Sequence, residues 1–287
     1  MPSGIVIVDK PQGWTSQDVV SKLRGVFREK RIGHGGTLDP MATGVLPVFV
    51  GRATRAVPYF EAAEKIYEAG LKLGISTDTQ DTTGRVLEEK EPTSMESLDG
   101  VLDQFRGDIE QIPPMYSAVK IDGKKLYQLA RKGREVERKP RPITVYSLER
   151  LDSNGDPILR IHCSKGTYVR TICHDIGQVL GCGGCMSSLR RVQAGAYDLT
   201  RAIPLADMVA SENPLDYLIP VDTMFADLPV CNLTEKETAK CRNGNAVPRK
   251  DLEAGRYRVY DHSGDFFMVA KVEDGLLITE KSFFEVK

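Results

Sequence analysis

Apolar residues in this chain fall in short runs, most of them spaced for strands, with single helical patterns between them. "GIVIVDKP" (4–11) is a continuous apolar run ended by a Lys-Pro turn, as in a buried strand. "TSQDVVSKLRGVFREK" (15–30) places Val19, Val20, Leu23 and Phe27 at helical spacing, with Ser16 as the expected N-cap. "GVLPVFVGRATR" (44–55) is a second apolar run, with Pro47 inside it. "KIYEAGLKLGISTDTQDTTGRVLEE" (65–89) predicts strand, polar loop and strand. "SMESLDGVLDQFRGDIEQIPP" (94–114) predicts an amphipathic helix stopped by Pro-Pro, with Leu98, Val101, Leu102 and Phe105 inward.

Further along, "ITVYSLERLD" and "PILRIHCSKGTYVR" (143–152, 157–170) predict two strands of a meander. "TICHDIGQVLG" (171–181) predicts a helix, and "SLRRVQAGAYDLTRAI" (188–203) a return to strand. Single helices between strand pairs imply an α+β fold: a mixed, largely antiparallel sheet with flanking helices. After residue 228 the texture changes to three short strands with turns at Ser263-Gly264 and Asp274-Gly275. This predicts two domains, 1–228 and a small, separate β domain at 229–287.

The chain has 287 residues, 41% hydrophobic, and a formal net charge of −1. No apolar run approaches the roughly 18 residues of a membrane span. The N-terminus reads as a strand rather than a signal peptide, so a cytoplasmic protein with free thiols is expected. Cys182 and Cys185 form a CxxC, but a structural zinc needs four ligands, and no metal site is expected.

Charge is concentrated in 120–141. Nine basic residues, among them Lys120, Lys124, Lys125, Arg131 and Lys132, face three acidic ones and surround Tyr127. Such a run is either a solvated helical face or a grip for a polyanion, and glycines at 123 and 133 suit a protruding element.

"GHGGTLDPMATG" (33–44) has the glycine density of a phosphate loop without its Lys-Ser/Thr ending. Asp39 there is either a turn cap or an exposed catalytic carboxylate. Asp78 and Asp81 superficially suit a phosphatase, with spacing that argues against one. In "SKGTYVR", strand alternation would put Tyr168 and Arg170 on one side, holding a flat base beside an anion.

These stretches resemble the TruB-type tRNA pseudouridine synthases, in their bacterial form. The likeness runs through "VDKPQGWTS", "GHGGTLDPMATGVLPVFVGRATR", "KIYEAGLKLGISTDTQDTTG", "PPMYSAVKIDGKKLYQLARKG", "SKGTYVRTICHDIG" and "LRRVQAGAY" in order, covering residues 5 to about 200. It implies isomerisation of uridine 55 in the T-loop of tRNA, without cofactor. It assigns Asp39 as catalytic carboxylate, Tyr67 as the tyrosine stacking on the target base, and Arg170 as the arginine paired with the acid. It places His34, Lys10, Tyr168 and Leu189 around the substrate, and makes 120–141 an insertion that closes over RNA. The C-terminal region takes the place of an RNA-binding PUA-like domain. A monomer with no membrane or protein partner is expected. The carboxylate's route is open among attack at C6, attack at C1′ and action as a base. The competing reading is a non-catalytic RNA-binding or tRNA-folding protein. Gly35 stands where the family more often has threonine, which implies a looser loop beside His34.

Overall fold

The computed structural model describes residues 2–284, so the last three residues of the expected C-terminal domain lie outside the described residues. β1 (Gly4–Lys10) is buried on both faces, which is why it reads as an unbroken apolar run. α1 (Ser16–Phe27) follows, with Val19, Val20, Leu23 and Phe27 buried as its periodicity predicts. Its N-cap is Thr15 rather than Ser16. Thr15 and Asp18 form a reciprocal capping box, which leaves the Ser16 hydroxyl free for another task. β2 (Ile32–His34) and β3 (Thr43–Val50) enclose the glycine loop, and α2 (Val57–Glu61) leads into β4 (Lys65–Leu73).

β5 (Ile75–Thr77) and β6 (Val86–Glu89) form a two-stranded ribbon beyond β4. The helix expected over 94–114 is shorter. α3 (Met95–Val101) continues as a single 3-10 turn to Phe105, and β7 (Gly107–Gln111) follows as an edge strand. The inner face is still met, with Leu98, Leu102 and Phe105 buried. The basic segment holds a minimal hairpin, β8 (Lys120–Ile121) with β9 (Lys124–Lys125), and one short helix, α4 (Leu126–Ala130).

β10 (Arg141–Leu151) and β11 (Ile158–Cys163) pair antiparallel as expected. The strand does not run on to Arg170. Ser164–Thr167 forms a turn, Tyr168 is the N-cap, and α5 (Val169–Val179) begins two residues earlier than predicted. Tyr168 and Arg170 therefore do not alternate along a strand. β12 (Gly184–Ala194), β13 (Tyr197–Asp198), β14 (Ile203–Pro204) and α6 (Leu205–Ala210) complete the larger unit.

The main sheet has ten strands in the order β14-β1-β3-β12-β4-β11-β10-β7, with β13 and β2 joined to β12 and β3. Among the described residues only β1–β14 and β3–β12 pair in parallel within it, so the sheet is mixed and largely antiparallel as expected. α1, α3, α5 and α6 cover one face and share a core with Val6, Val8, Leu46 and Val48. The other face, through Ile5, Ile7, Val45 and Phe49, packs on Phe60, Tyr197 and Phe225.

β15 (Val230–Asn232), α7 (Glu235–Arg242), β16 (Val247–Pro248), β17 (Gly255–Tyr260), β18 (Phe266–Glu273) and β19 (Leu276–Ser282) build a second, five-stranded sheet. It has its own core around Phe267, Met268 and Leu277, yet Val269 and Phe283 join the core beneath the large sheet. Among the described residues no helix is long and apolar enough to cross a membrane.

A tight point of the large sheet is the parallel crossing of β3 and β12, where Gly44 lies in register with Arg191. Gly44 has φ +98°, and a Cβ there would lie 2.2 Å from the Arg191 carbonyl oxygen. Gly44→Ala is expected to destabilise the fold by about 1–3 kcal/mol through overpacking alone, before the backbone strain is added. Urea unfolding measures it; an unchanged midpoint would refute the tight crossing.

Candidate active site

The loop between β2 and β3 is pinned almost atom by atom. Gly35 N donates to Pro47 O at 2.8 Å. The Ser16 hydroxyl donates to Leu38 O at 3.1 Å and accepts from Leu38 N at 2.9 Å. Pro40 O accepts from Gly13 N at 2.8 Å and from the Lys10 ammonium at 3.4 Å. These contacts fix the backbone on both sides of Asp39, whose side chain keeps 37% of its surface accessible.

Arg170 comes to meet it from the first turn of α5. Its Nε lies 3.1 Å from Asp39 Oδ2, and its Nη1 lies 3.6 Å from Asp81 Oδ2. The same guanidinium donates to Thr79 O at 3.2 Å and to Tyr116 O at 3.0 Å. The start of α5 is held by Gln111, whose side-chain amide pairs with both the N–H and the C=O of Tyr168. Burial pushes the Asp39 carboxyl above its ordinary range, and the Arg170 charge opposes that.

Tyr67 stands on β4, half-buried and packed on the helix-covered core. Burial raises its hydroxyl pKa; the neighbouring Arg191 charge lowers it. His34 is half-buried, and its Nδ1 has no hydrogen-bond partner among the described residues. Burial first, and Arg191 second, hold its pKa below the ordinary value, so the neutral imidazole is favoured. Leu189 lies on β12 opposite Ala69 and is 8% exposed. Tyr168 is half-buried at the N-terminus of α5.

Lys10, expected beside the substrate, has no exposed surface. Its ammonium donates to Pro11 O at 2.8 Å and Trp14 O at 2.6 Å, as well as to Pro40. It therefore holds the loop from beneath instead of facing solvent. Its pKa is lowered to about 8, chiefly by burial.

The basic segment is not one helical face. Lys125 and Arg131 lie 5.6 and 5.5 Å from the Tyr127 ring centroid. Lys124, Lys132 and Arg134 line a separate shallow cavity of about 310 Å³ with Gln128 and Leu129. Lys120 is exposed, and the buried Leu126 anchors the short helix. The segment is rooted near the acid: Tyr116, which accepts from Arg170, is followed by Ser117, whose carbonyl accepts from Tyr127 N.

Sequence reasoning missed Arg191 and Lys65, and gave Asp81 a different part. Arg191 is 1% exposed, with Nε donating to Val45 O at 2.7 Å and Nη2 to Gly36 O at 3.1 Å. Strand alternation could have found it, since one of two adjacent arginines on a buried strand must point inward. Arg190 is the outward one, paired with Asp9 at 2.8 Å. Asp81 is 4% exposed, accepts from Thr79 and Thr83, and forms an ion pair with Arg170 at 3.6 Å. Asp78 caps a turn through Arg85 N. Both carboxylates of the phosphatase reading are thus committed to internal bonds. Lys65, on β4, is buried with a pKa lowered to about 8, first by burial and then by Arg191.

All six cysteines are free and buried, and burial pushes Cys173 up to about 12 and Cys163 and Cys185 up to about 11. Among the described residues no group of three or more His, Cys, Asp or Glu is placed to hold a metal ion.

Residues 24–169 match the family described as TruB family pseudouridylate synthase (N terminal domain). Residues 170–226 match the tRNA pseudouridylate synthase B C-terminal domain, and 229–281 match pseudouridine synthase II TruB, C-terminal. The chain is 42% identical to tRNA pseudouridine synthase B of Francisella philomiragia, over 98% of this chain and 95% of that protein. It is 41% identical to the protein of the same name from Clostridium kluyveri, over 94% and 96%. A crystal structure of a Cbf5–Nop10–Gar1 complex is similar with a TM-score of 0.73 and 27% identity, covering 98% of this chain and 85% of that one. The chain belongs to the TruB family of pseudouridylate synthases.

Proposed function

We propose that this chain converts uridine 55 in the T-loop of tRNA to pseudouridine, with Asp39 as its catalytic carboxylate. The observation that carries the reading is the 3.1 Å pair of Asp39 with a buried arginine, on an accessible loop of a chain from this family. The reaction breaks the C1′–N1 bond, turns the uracil and forms a C1′–C5 bond. C5 gives up its proton and N1 gains one. Nothing is oxidised and no group is donated, so no cofactor is called for. A carboxylate serves attack at C6, attack at C1′, or proton abstraction from the sugar equally well.

The uridine must leave its stack, which costs a few kcal/mol, and stacking on Tyr67 returns roughly 1–3 kcal/mol. Arg170 holds Asp39 ionised where burial would neutralise it. His34, Tyr168 and Leu189 border the flipped base, and Lys10 keeps the loop in place. The segment 120–141 and the small sheet after residue 228 carry RNA, the first by neutralising phosphates. We place the activity in the cytoplasm, in a monomer working without a protein partner.

Tritium release from tRNA labelled at uridine C5, in EDTA, tests the whole reading. Release that requires uridine 55 is expected; tight binding without release would make this an RNA-binding protein. Asp39→Asn is expected to abolish release while leaving tRNA affinity nearly unchanged, and normal turnover by this variant would remove Asp39 from the chemistry.

The pH profile carries a sign. Asp39 must be ionised, and burial holds its carboxyl above the ordinary carboxylate range. Rate should therefore fall, as pH drops, along a limb above the ordinary carboxylate value. Arg170→Met removes the opposing charge, so its residual activity should show that limb at still higher pH. A limb that stays put would dismiss charge pairing as the role of Arg170.

Reversing Lys124, Lys132 and Arg134 to Glu should weaken tRNA binding and flatten its dependence on salt. The log–log slope should shrink by about 0.7–0.9 for each phosphate that the segment no longer neutralises. An unchanged slope in a binding titration would return this cavity to a solvated surface.

A further inference from the structure

The departure at Gly35 leads to a contact the reaction scheme does not use. A Cβ at Gly35 would lie 2.4 Å from Phe60 Cδ1, 2.9 Å from Phe60 Cε1 and 3.0 Å from Phe49 Cε2. Rings occupy the place where a side chain at position 35 would be. Far from loosening the loop, the glycine lets it settle onto an aromatic floor. Phe60 is 3% exposed, at the end of α2, with ring centroids 5.8 Å from Phe49 and 6.0 Å from Tyr197. Swinging it aside would disturb both neighbouring rings in a close-packed interior.

Phe60 also reaches the second part of the site. The Lys65 ammonium lies 6.0 Å from its ring centroid and donates to Glu61 O and Ala63 O, closing the turn from α2 into β4. Lys65 begins the strand that carries Tyr67 two residues later. One ring therefore underlies the residue next to His34 on one side and the root of the Tyr67 strand on the other.

Resting on the proposed function, we propose that Phe60 is a positioning residue that sets the height of the His34–Asp39 loop against the Tyr67 strand, and that it requires glycine at position 35. Gly35 and Phe60 form one matched pair. A larger residue at 35 must lift the loop, and a smaller residue at 60 must make room for it. A displacement of about 1 Å at a reacting group costs roughly a hundredfold in rate, so the pair acts on turnover more than on RNA affinity.

The test is a cycle of Gly35→Thr, Phe60→Leu and the double variant in the full chain. Turnover of uridine 55 tRNA, tRNA affinity, melting temperature and the NMR titration of His34, assigned with His34→Gln, are measured for each. Gly35→Thr should lose turnover by about a hundredfold, with tRNA affinity little changed. It should also bring the His34 pKa back up toward its ordinary 6.5 as the imidazole leaves its buried place. Phe60→Leu should lose less. The double variant should recover much of the turnover lost by Gly35→Thr and return His34 to its depressed value. Wild-type behaviour of Gly35→Thr would overturn the proposal, as would a double variant no better than Gly35→Thr. Losses that follow melting temperature alone, with His34 unmoved, would overturn it too. If the wild type releases no tritium, the proposed function falls, and the His34 titration alone still decides the pairing.

Discussion

The guanidinium of Arg170 is the point at which separate parts of this molecule become one site. It is reached from Asp39 on the glycine loop, from Asp81 and Thr79 on the turn beyond β5, and from Tyr116 at the root of the basic segment. Only a planar group with five donors can serve so many acceptors at once; a lysine ammonium keeps the charge and loses the fork. A buried cation between two carboxylates is also unforgiving, because removing it leaves two facing carboxylates without compensation. The loop, the turn and the insertion are thereby coupled through one side chain. That side chain is in turn fixed by the double hydrogen bond of Gln111 to Tyr168 at the start of its helix.

The glycine loop achieves rigidity by an unusual route. Its peptide groups are held by buried side chains, with Arg191 on Gly36, Ser16 on Leu38 and Lys10 on Pro40, more than by regular secondary structure. Two of those three are full charges satisfied by carbonyl oxygens, and a buried charge without such bonds would be far too costly. The glycines belong to the same arrangement. Gly44 makes room for the Arg191 backbone and Gly36 for its guanidinium, where a Cβ would lie 3.3 Å from Nη1. At Gly36 and Gly44 the phosphate-loop texture of this stretch is therefore a consequence of fitting an arginine beneath a loop.

Much of the fold is legible in the sequence, for identifiable reasons. β1 and β3 are buried on both faces and read as apolar runs, while α1 buries the stripe its spacing shows. The turns at Ser263-Gly264 and Asp274-Gly275 separate β17, β18 and β19 as their chemistry dictates. β7 is not legible, because "GDIEQ" is an exposed edge strand whose partner, β10, is far along the chain. The start of α5 escapes prediction because "SKGTY" carries no apolar period, so alternation extends past its true end. The proximity of Asp39 to Arg170 is a long-range fact that no local spacing contains. Family likeness supplies the two residues, and the fold brings them to 3.1 Å.

A net charge of −1 is compatible with RNA binding because charge is sorted by depth as well as along the chain. Arg170 is matched by Asp39 and Asp81, whereas Arg191, Lys10 and Lys65 have no carboxylate within ion-pair distance among the described residues. They lie beneath the loop, where they cannot contact a phosphate. An RNA backbone arriving above Asp39 would raise the pKa of that carboxyl, since like charges disfavour the ionised form. Lys10, behind the loop, pulls the Asp39 carboxyl the other way and opposes that rise at the moment of binding, when salt in the surrounding water is excluded and screening is weakest. In the proposed reaction the basic segment brings the polyanion in, and Arg170 with Lys10 keeps the acid usable once it has arrived.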